Sequence, residues 1–230
     1  SVIGFSRSHT FETAITFRIL TGLGSSFGFI GLLVAVYEWL PRKNLALYIG
    51  VSQLIGTMGP MLAAGPLNDI AESGGISWRV IFLGLGGIGL LLALFIWLFV
   101  KNNKEYTGSF QILKKSEPLI KTVAAILIQK QLWFIAVYSG SVYFTIEYLS
   151  ENSGKAFLML NGFSSSASSY LLTIAWVGYS IGCPLFGFIS DYMSRRKPAM
   201  IAAAALCFVS LVIITFATKI KLLMFIAFFM

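Results

Sequence analysis

Gly187-Phe188-Ile189-Ser190-Asp191-Tyr192-Met193-Ser194-Arg195-Arg196-Lys197 joins two long apolar runs, residues 167–189 and 199–217, through a short polar connection. A helix needs about 20 apolar residues to cross a bilayer, so each run spans, and the short connection forces the two helices to lie adjacent and antiparallel. An acid closes the first run and three bases precede the second. Working outward, further runs occupy residues 16–40, 45–67, 78–100 and 132–149, giving six whole spans. Residues 1–5 read as the tail of an earlier span, and the apolar residues 220–230 as the start of a later one. Both ends look cut, and the source chain is expected to extend by on the order of 80 to 100 residues on each side.

Composition agrees with this reading. Hydrophobic side chains make up 57% of the 230 residues and charged ones 11%, with a mean hydropathy of +0.83. Soluble domains carry about a quarter charged residues. The expected fold class is therefore all-α, a polytopic transmembrane helical bundle. Cys183 and Cys207 both lie inside apolar runs, where they read as small buried side chains rather than a disulfide framework.

The net charge of +8 is explained by topology, since Lys and Arg are retained on the cytoplasmic side of membrane spans. Arg42, Lys43, Lys101, Lys104, Lys114, Lys115, Lys121, Lys130, Arg195, Arg196 and Lys197 fall on one side. Arg7, Arg18, Arg79, Lys155, Lys219 and Lys221 fall on the other, where Glu12, Asp69, Glu72, Glu147 and Glu151 nearly neutralise them. No nucleic-acid partner is needed; the partners expected are the lipid bilayer and a small solute. The basic stretch 101–130 becomes a cytoplasmic linker ending in an interfacial helix, and residues 68–75, with acids and paired glycines, read as an outer loop.

Polar side chains inside a span are costly and mark an aqueous pathway. Residues 80–100 have none, and residues 199–217 have little beyond Ser210 and Thr215, so both spans read as lipid-facing scaffold. The first span places Arg18, Thr21 and Ser25 on one helical face, and an intramembrane arginine demands a partner. The second stacks Tyr48 with Ser52 and Gln53 with Thr57. The fourth aligns Tyr138, Ser141, Thr145 and Tyr148 on one stripe, with Tyr143 and Glu147 on another. Gly24, Gly28, Gly178 and Gly182 read as helix-packing positions. Tyr138, Tyr148 and Trp176 read either as interfacial anchors or as pathway lining. Glu147, near the outer end of its span, either snorkels to water or carries a proton.

The stretch from Gly187 to Lys197 resembles the loop signature of the major facilitator superfamily, Gly-x-Leu-Ala-Asp-basic-x-Gly-Arg-basic-basic. Tyr192 stands where the signature has its first basic residue, and Ser194 where it has its second glycine. Three further stretches are similar to the same superfamily and follow in the expected order. Arg18-Ile19-Leu20-Thr21-Gly22-Leu23-Gly24 resembles the opening of its fourth helix, and Gly56-Thr57-Met58-Gly59-Pro60 with Gly65 the Gly-Pro motif of its fifth. Trp78-Arg79-Val80-Ile81-Phe82 is similar to the start of its sixth. The fifth-helix match has its glycine spacing off by one and Gly65-Pro66 in place of a terminal glycine pair, so no antiport is inferred from it.

The resemblance implies a fragment of a twelve-helix, two-half architecture. Residues 1–100 would be the latter part of the N-terminal bundle (helices four to six), residues 101–130 the inter-bundle linker, and residues 131–230 the first part of the C-terminal bundle (helices seven to nine and the start of ten). It implies a secondary active transporter of a small polar solute (an amino acid, sugar or organic anion), a symporter coupled to protons or sodium and working by alternating access. The texture is that of uptake permeases, which implies a monomer in the bacterial inner membrane. Arg18, Thr21, Ser25, Gln53, Tyr138, Ser141 and Thr145 would line the substrate pathway, with Glu147 as the proton-coupling candidate. Gly187, Asp191, Arg195 and Arg196 would form a conformational charge latch, the acid held against the arginines. The alternatives are a transporter-fold sensor or assembly protein without transport and, less well supported, an intramembrane enzyme. His9 is the sole histidine, no HExxH is present, and neither cysteine has a partner at ligand spacing, so no catalytic site, cofactor or metal is expected.

Overall fold

A computed structural model of the chain describes residues 1–73, 75–101, 119–216 and 220–230. Every regular element among the described residues is helical. Helix α1 (Val2–Ser6) precedes α2 (Phe11–Trp39), which opens five residues earlier than the apolar run suggests because Thr10 and Thr13 cap it reciprocally. Thr13 N–H donates to the Thr10 hydroxyl at 3.3 Å, and Thr10 N–H donates to the Thr13 hydroxyl at 3.4 Å. Pro41 follows and stops the helix.

Helix α3 (Leu45–Ala71) runs past its predicted end. Pro66 lacks a backbone donor, and the helix accommodates it in a widened π segment, Ala63–Leu67, before continuing through Asn68–Ser73. The acidic residues 68–73, expected in a loop, are thus helical, and Gly75 beyond them has a φ of 65°, in the left-handed region glycine tolerates. The reason is tertiary: the Asn68 amide donates to the Ser169 hydroxyl of a later helix.

Helix α4 (Trp78–Phe99) starts under a Ser77 cap. The described part of the linker is helix α5 (Leu119–Ile128), joined to the next helix by the Trp133 indole N–H, which donates to the Leu127 carbonyl at 2.8 Å. Residues 102–118 of the predicted linker lie outside the described residues. Helix α6 (Lys130–Glu147) ends in a second π segment, Tyr148–Asn152, and the short α7 (Gly154–Leu160) follows. Helices α8 (Ser165–Tyr192), α9 (Arg196–Phe216) and α10 (Lys221–Phe229) complete the chain.

Five of these helices are both long and apolar enough to cross a membrane: α2, α3, α4, α8 and α9. The sixth expected span, α6, is helical over its expected length but less apolar than the other five, since it carries Lys130, Gln131, two tyrosines, two serines, Thr145 and Glu147. Helix α4 touches chiefly α1, where Ile3 lies against Gly86, and otherwise presents its apolar surface outward, as expected for a lipid-facing span. The buried core lies elsewhere. Leu158, Leu171, Leu172, Ile214, Met224, Ala227 and Phe228 bring α7, α8, α9 and α10 together, and the Ser210 hydroxyl donates to the Ala227 carbonyl at 2.6 Å to tie α9 to α10.

Candidate functional site

Among the described residues the most extensive helix–helix contact is the antiparallel seam between α3 and α8. It starts with two glycines. A Cβ at Gly50 would run into the Cys183 carbonyl and Pro184, and one at Gly187 into the Ala46 carbonyl and the backbone of Leu47. Between helices surrounded by lipid there is little hydrophobic drive to associate, so close backbone approach and hydrogen bonds decide the pairing.

That approach places Asp191, in the last turn of α8, at the start of α3. Its carboxylate accepts a hydrogen bond from the Leu47 backbone N–H at 2.9 Å. Leu47 lies in the first turn of its helix, where N–H groups have no intrahelical acceptor and the helix end carries partial positive charge. The acid of the Gly187–Lys197 stretch therefore acts on a helix terminus of the other half of the seam. Arg195 and Arg196 are exposed and, among the described residues, neither forms an ion pair with Asp191, so the partner differs from the expected one. Between the acid and the arginines sits Ser194 at φ 50°, among the described residues the one non-glycine with positive φ. It occupies the glycine position of the signature in the conformation glycine would favour.

Midway along the seam the Tyr179 hydroxyl of α8 lies within hydrogen-bonding reach of Gln53 of α3 and of the Cys183 thiol. One turn further, the buried hydroxyls of Thr57 and Ser180 are hydrogen-bonded to each other across the helices. Toward the far end the Thr173 hydroxyl donates to the Met61 carbonyl at 3.2 Å beside Gly65, and the Asn68 amide donates to the Ser169 hydroxyl at 3.3 Å. The seam thus carries polar contacts from end to end. Sequence reasoning picked out Gln53, Thr57, Gly187 and Asp191 but missed Ser169, Thr173 and Ser180. The signal was present, since Ser169, Thr173, Ser180, Gly187 and Asp191 recur at steps of four and seven along one face of α8.

The other expected pathway residues are not gathered into this seam. Arg18 and Ser25 are exposed on α2, and the hydroxyls of Thr21 and Ser25 turn back to the Phe17 and Gly22 carbonyls of their own helix. Tyr138 donates to the Met200 carbonyl at 3.0 Å and so ties α6 to α9. Ser141 is exposed, and its carbonyl accepts from the Thr145 hydroxyl. Thr145 lines a cavity of about 280 Å³ between α6, α8, α9 and α10, together with Tyr179, Cys183, Cys207 and Ser210. Glu147 is half-buried as the last residue of α6. Of the four glycines read as packing positions, Gly178 meets another helix among the described residues, since a Cβ there would strike the Phe229 carbonyl of α10, while no described atom lies within 4 Å of a Cβ at Gly24, Gly28 or Gly182.

Comparison with known proteins adds the family. The sequence matches the family described as Major Facilitator Superfamily over residues 1–230. It is 25% identical over 189 residues to a hexuronate transporter of Bacillus subtilis, covering 81% of this chain and 44% of that protein. It is 33% identical over 106 residues to the efflux pump aflT of Aspergillus parasiticus, covering 44% of this chain and 20% of the pump. With the MFS-type efflux pump elcC of Phaeosphaeria nodorum it shares 32% identity over 89 residues, 38% of this chain and 15% of that protein. The chain spans less than half the length of the curated relatives it matches. No solved structure matches. With five bilayer-length helices and a family match along its whole length, the chain is part of a multi-pass integral membrane protein and belongs to the Major Facilitator Superfamily.

Proposed function

We propose that the full-length protein carries a small, carboxylate-bearing polar solute across the membrane by alternating access, with α3 and α8 facing each other across the boundary between its two halves. On this reading α2, α3 and α4 are helices four to six, residues 101–130 are a cytoplasmic linker, α6, α8 and α9 are helices seven to nine, and α10 opens the tenth. The observation that carries the proposal is the Asp191 carboxylate seated on the N-terminus of α3. It joins a helix on each side of the linker by one charge-assisted hydrogen bond, strong enough to hold one end of the seam closed and single enough to break. Alternating exposure needs such a contact.

Substrate recognition falls to the pair Gln53 and Tyr179, and the family resemblance adds Arg18, Thr21, Ser25, Ser141 and Thr145, which lie outside the seam in this conformation. Arginine suits a carboxylate, and the similarity to a hexuronate transporter supports an acidic sugar or related organic anion. Glu147 is the proton carrier of this scheme. Reconstitution of the full-length protein in liposomes tests it. Labelled glucuronate should accumulate under an inward proton gradient, and Glu147→Gln should abolish accumulation while leaving exchange of internal for external solute. Absence of flux for charged and neutral solutes alike would refute transport.

A further inference from the structure

At the Ser169 end of the seam, opposite Asp191, a cavity of about 270 Å³ opens between α3, α7 and α8, close to the lower size limit of small-molecule sites. Both π segments reach it: Ala63 from the widened turn of α3, and Ser150 from the one that ends α6. Such turns widen a helix and recur at functional positions. Two of them, from opposite sides of the linker, meet at one cavity.

Its lining is chemically specific. Lys155 supplies an ammonium with three donors, enough to serve a carboxylate in addition to a protein acceptor. The Asn68 amide nitrogen is engaged with Ser169, which leaves its oxygen as an acceptor. The Ser150 hydroxyl gives its proton to the Ile146 carbonyl, and its lone pairs remain to accept. Trp176, with only 3% of its surface exposed, forms an apolar aromatic wall. One cation, two acceptors and a flat apolar wall match a polyhydroxylated carboxylate: an anionic group, hydroxyl donors and a C–H face. Trp176 also meets Tyr179 edge-on, ring centroids 5.9 Å apart, which connects this cavity to the Gln53–Tyr179 cluster midway along the seam.

We propose that this cavity is a second solute site, a vestibule in which Lys155, Asn68, Ser150 and Trp176 hold a polyhydroxylated carboxylate before it reaches the midway cluster. The proposal rests on the transport reading for its direction and consequence, but binding can be measured apart from flux. The full-length protein, in a cysteine-free background with Ala63→Cys as reporter, is labelled in liposomes by a membrane-impermeant methanethiosulfonate, with glucuronate as probe and glucose as the uncharged control. Ala63 lines the cavity and is exposed. Saturating glucuronate should slow labelling several-fold, because bound solute covers the introduced thiol, and glucose should not. Lys155→Arg should keep this protection and Lys155→Met should lose it. Unchanged labelling with glucuronate overturns the site whether or not flux is present, and so does protection that survives Lys155→Met, because closure elsewhere would then be its cause. Lys155-dependent protection in a protein without flux upholds the site and refutes transport.

Discussion

Helices α4 and α8 are both long enough to cross a bilayer, and the more hydrophobic of the two is the less buried. Along its most apolar stretch, with mean hydropathy 2.5, α4 has no buried residue; α8, at 1.6, buries 22% of the corresponding stretch. In water the order would be reversed, since apolar surface drives burial. In lipid it does not, because acyl chains solvate Leu90 to Leu92 of α4 as well as any neighbouring helix would. What α8 has instead is Gly187, where another backbone fits, and Ser169, Thr173, Ser180 and Asp191, each bonded to a group on α3. Association follows polarity and small size.

The contrast can be broken most severely at the glycines. Gly187→Leu or Gly50→Leu would drive a side chain into the opposing backbone, and each should cost about 3 kcal/mol or more, seen as a large fall in the thermal midpoint of the purified protein. Gly87→Leu or Gly89→Leu on α4, where no atom lies within 4 Å of the added Cβ, should leave the midpoint unchanged. Equal losses on the two helices would remove the distinction drawn here.

Asp191→Ala is expected to cost about 1–2 kcal/mol, the range for removing an acid that caps a helix, and to raise hydrogen exchange at the Leu47 amide. Asp191→Asn, which keeps an acceptor but not the charge, should recover part of the loss. A smaller effect is expected between Thr57 and Ser180. The cycle of Thr57→Val, Ser180→Ala and the double variant should give a coupling of about 0.6 kcal/mol, typical of hydrogen bonds between membrane helices. The smallest change has the opposite sign. Ser194→Gly removes a left-handed strain and should stabilise the protein by about 0.5 kcal/mol; a neutral or destabilising result would mean that the Ser194 side chain contributes more than its backbone costs.

Several features of the site were legible because they depend on spacing within one helix. Gly187 and Asp191 stand out at fixed offsets, and Gln53 lies on the polar face of α3. The partner of Asp191 was not legible. The nearby arginines are conspicuous in the sequence, whereas the Leu47 N–H is a backbone donor that every non-proline residue shares, and only its place in a first turn makes it available. Gly178 and Gly182 have the same spacing signal, yet among the described residues only Gly178 meets another helix. Residues 68–73 look like a loop until Asn68 finds Ser169.

By itself the sequence determined that the chain resides in a membrane as helices, roughly where those helices begin and end, and to which family it belongs. Backbone groups in lipid must be satisfied within the segment, so apolar length alone specifies a helix. Only the tertiary structure decided which helices meet. That choice depends on a few close backbone approaches and single hydrogen bonds between residues more than 100 positions apart, such as Thr57 with Ser180 and Leu47 with Asp191, and hydropathy carries no record of either.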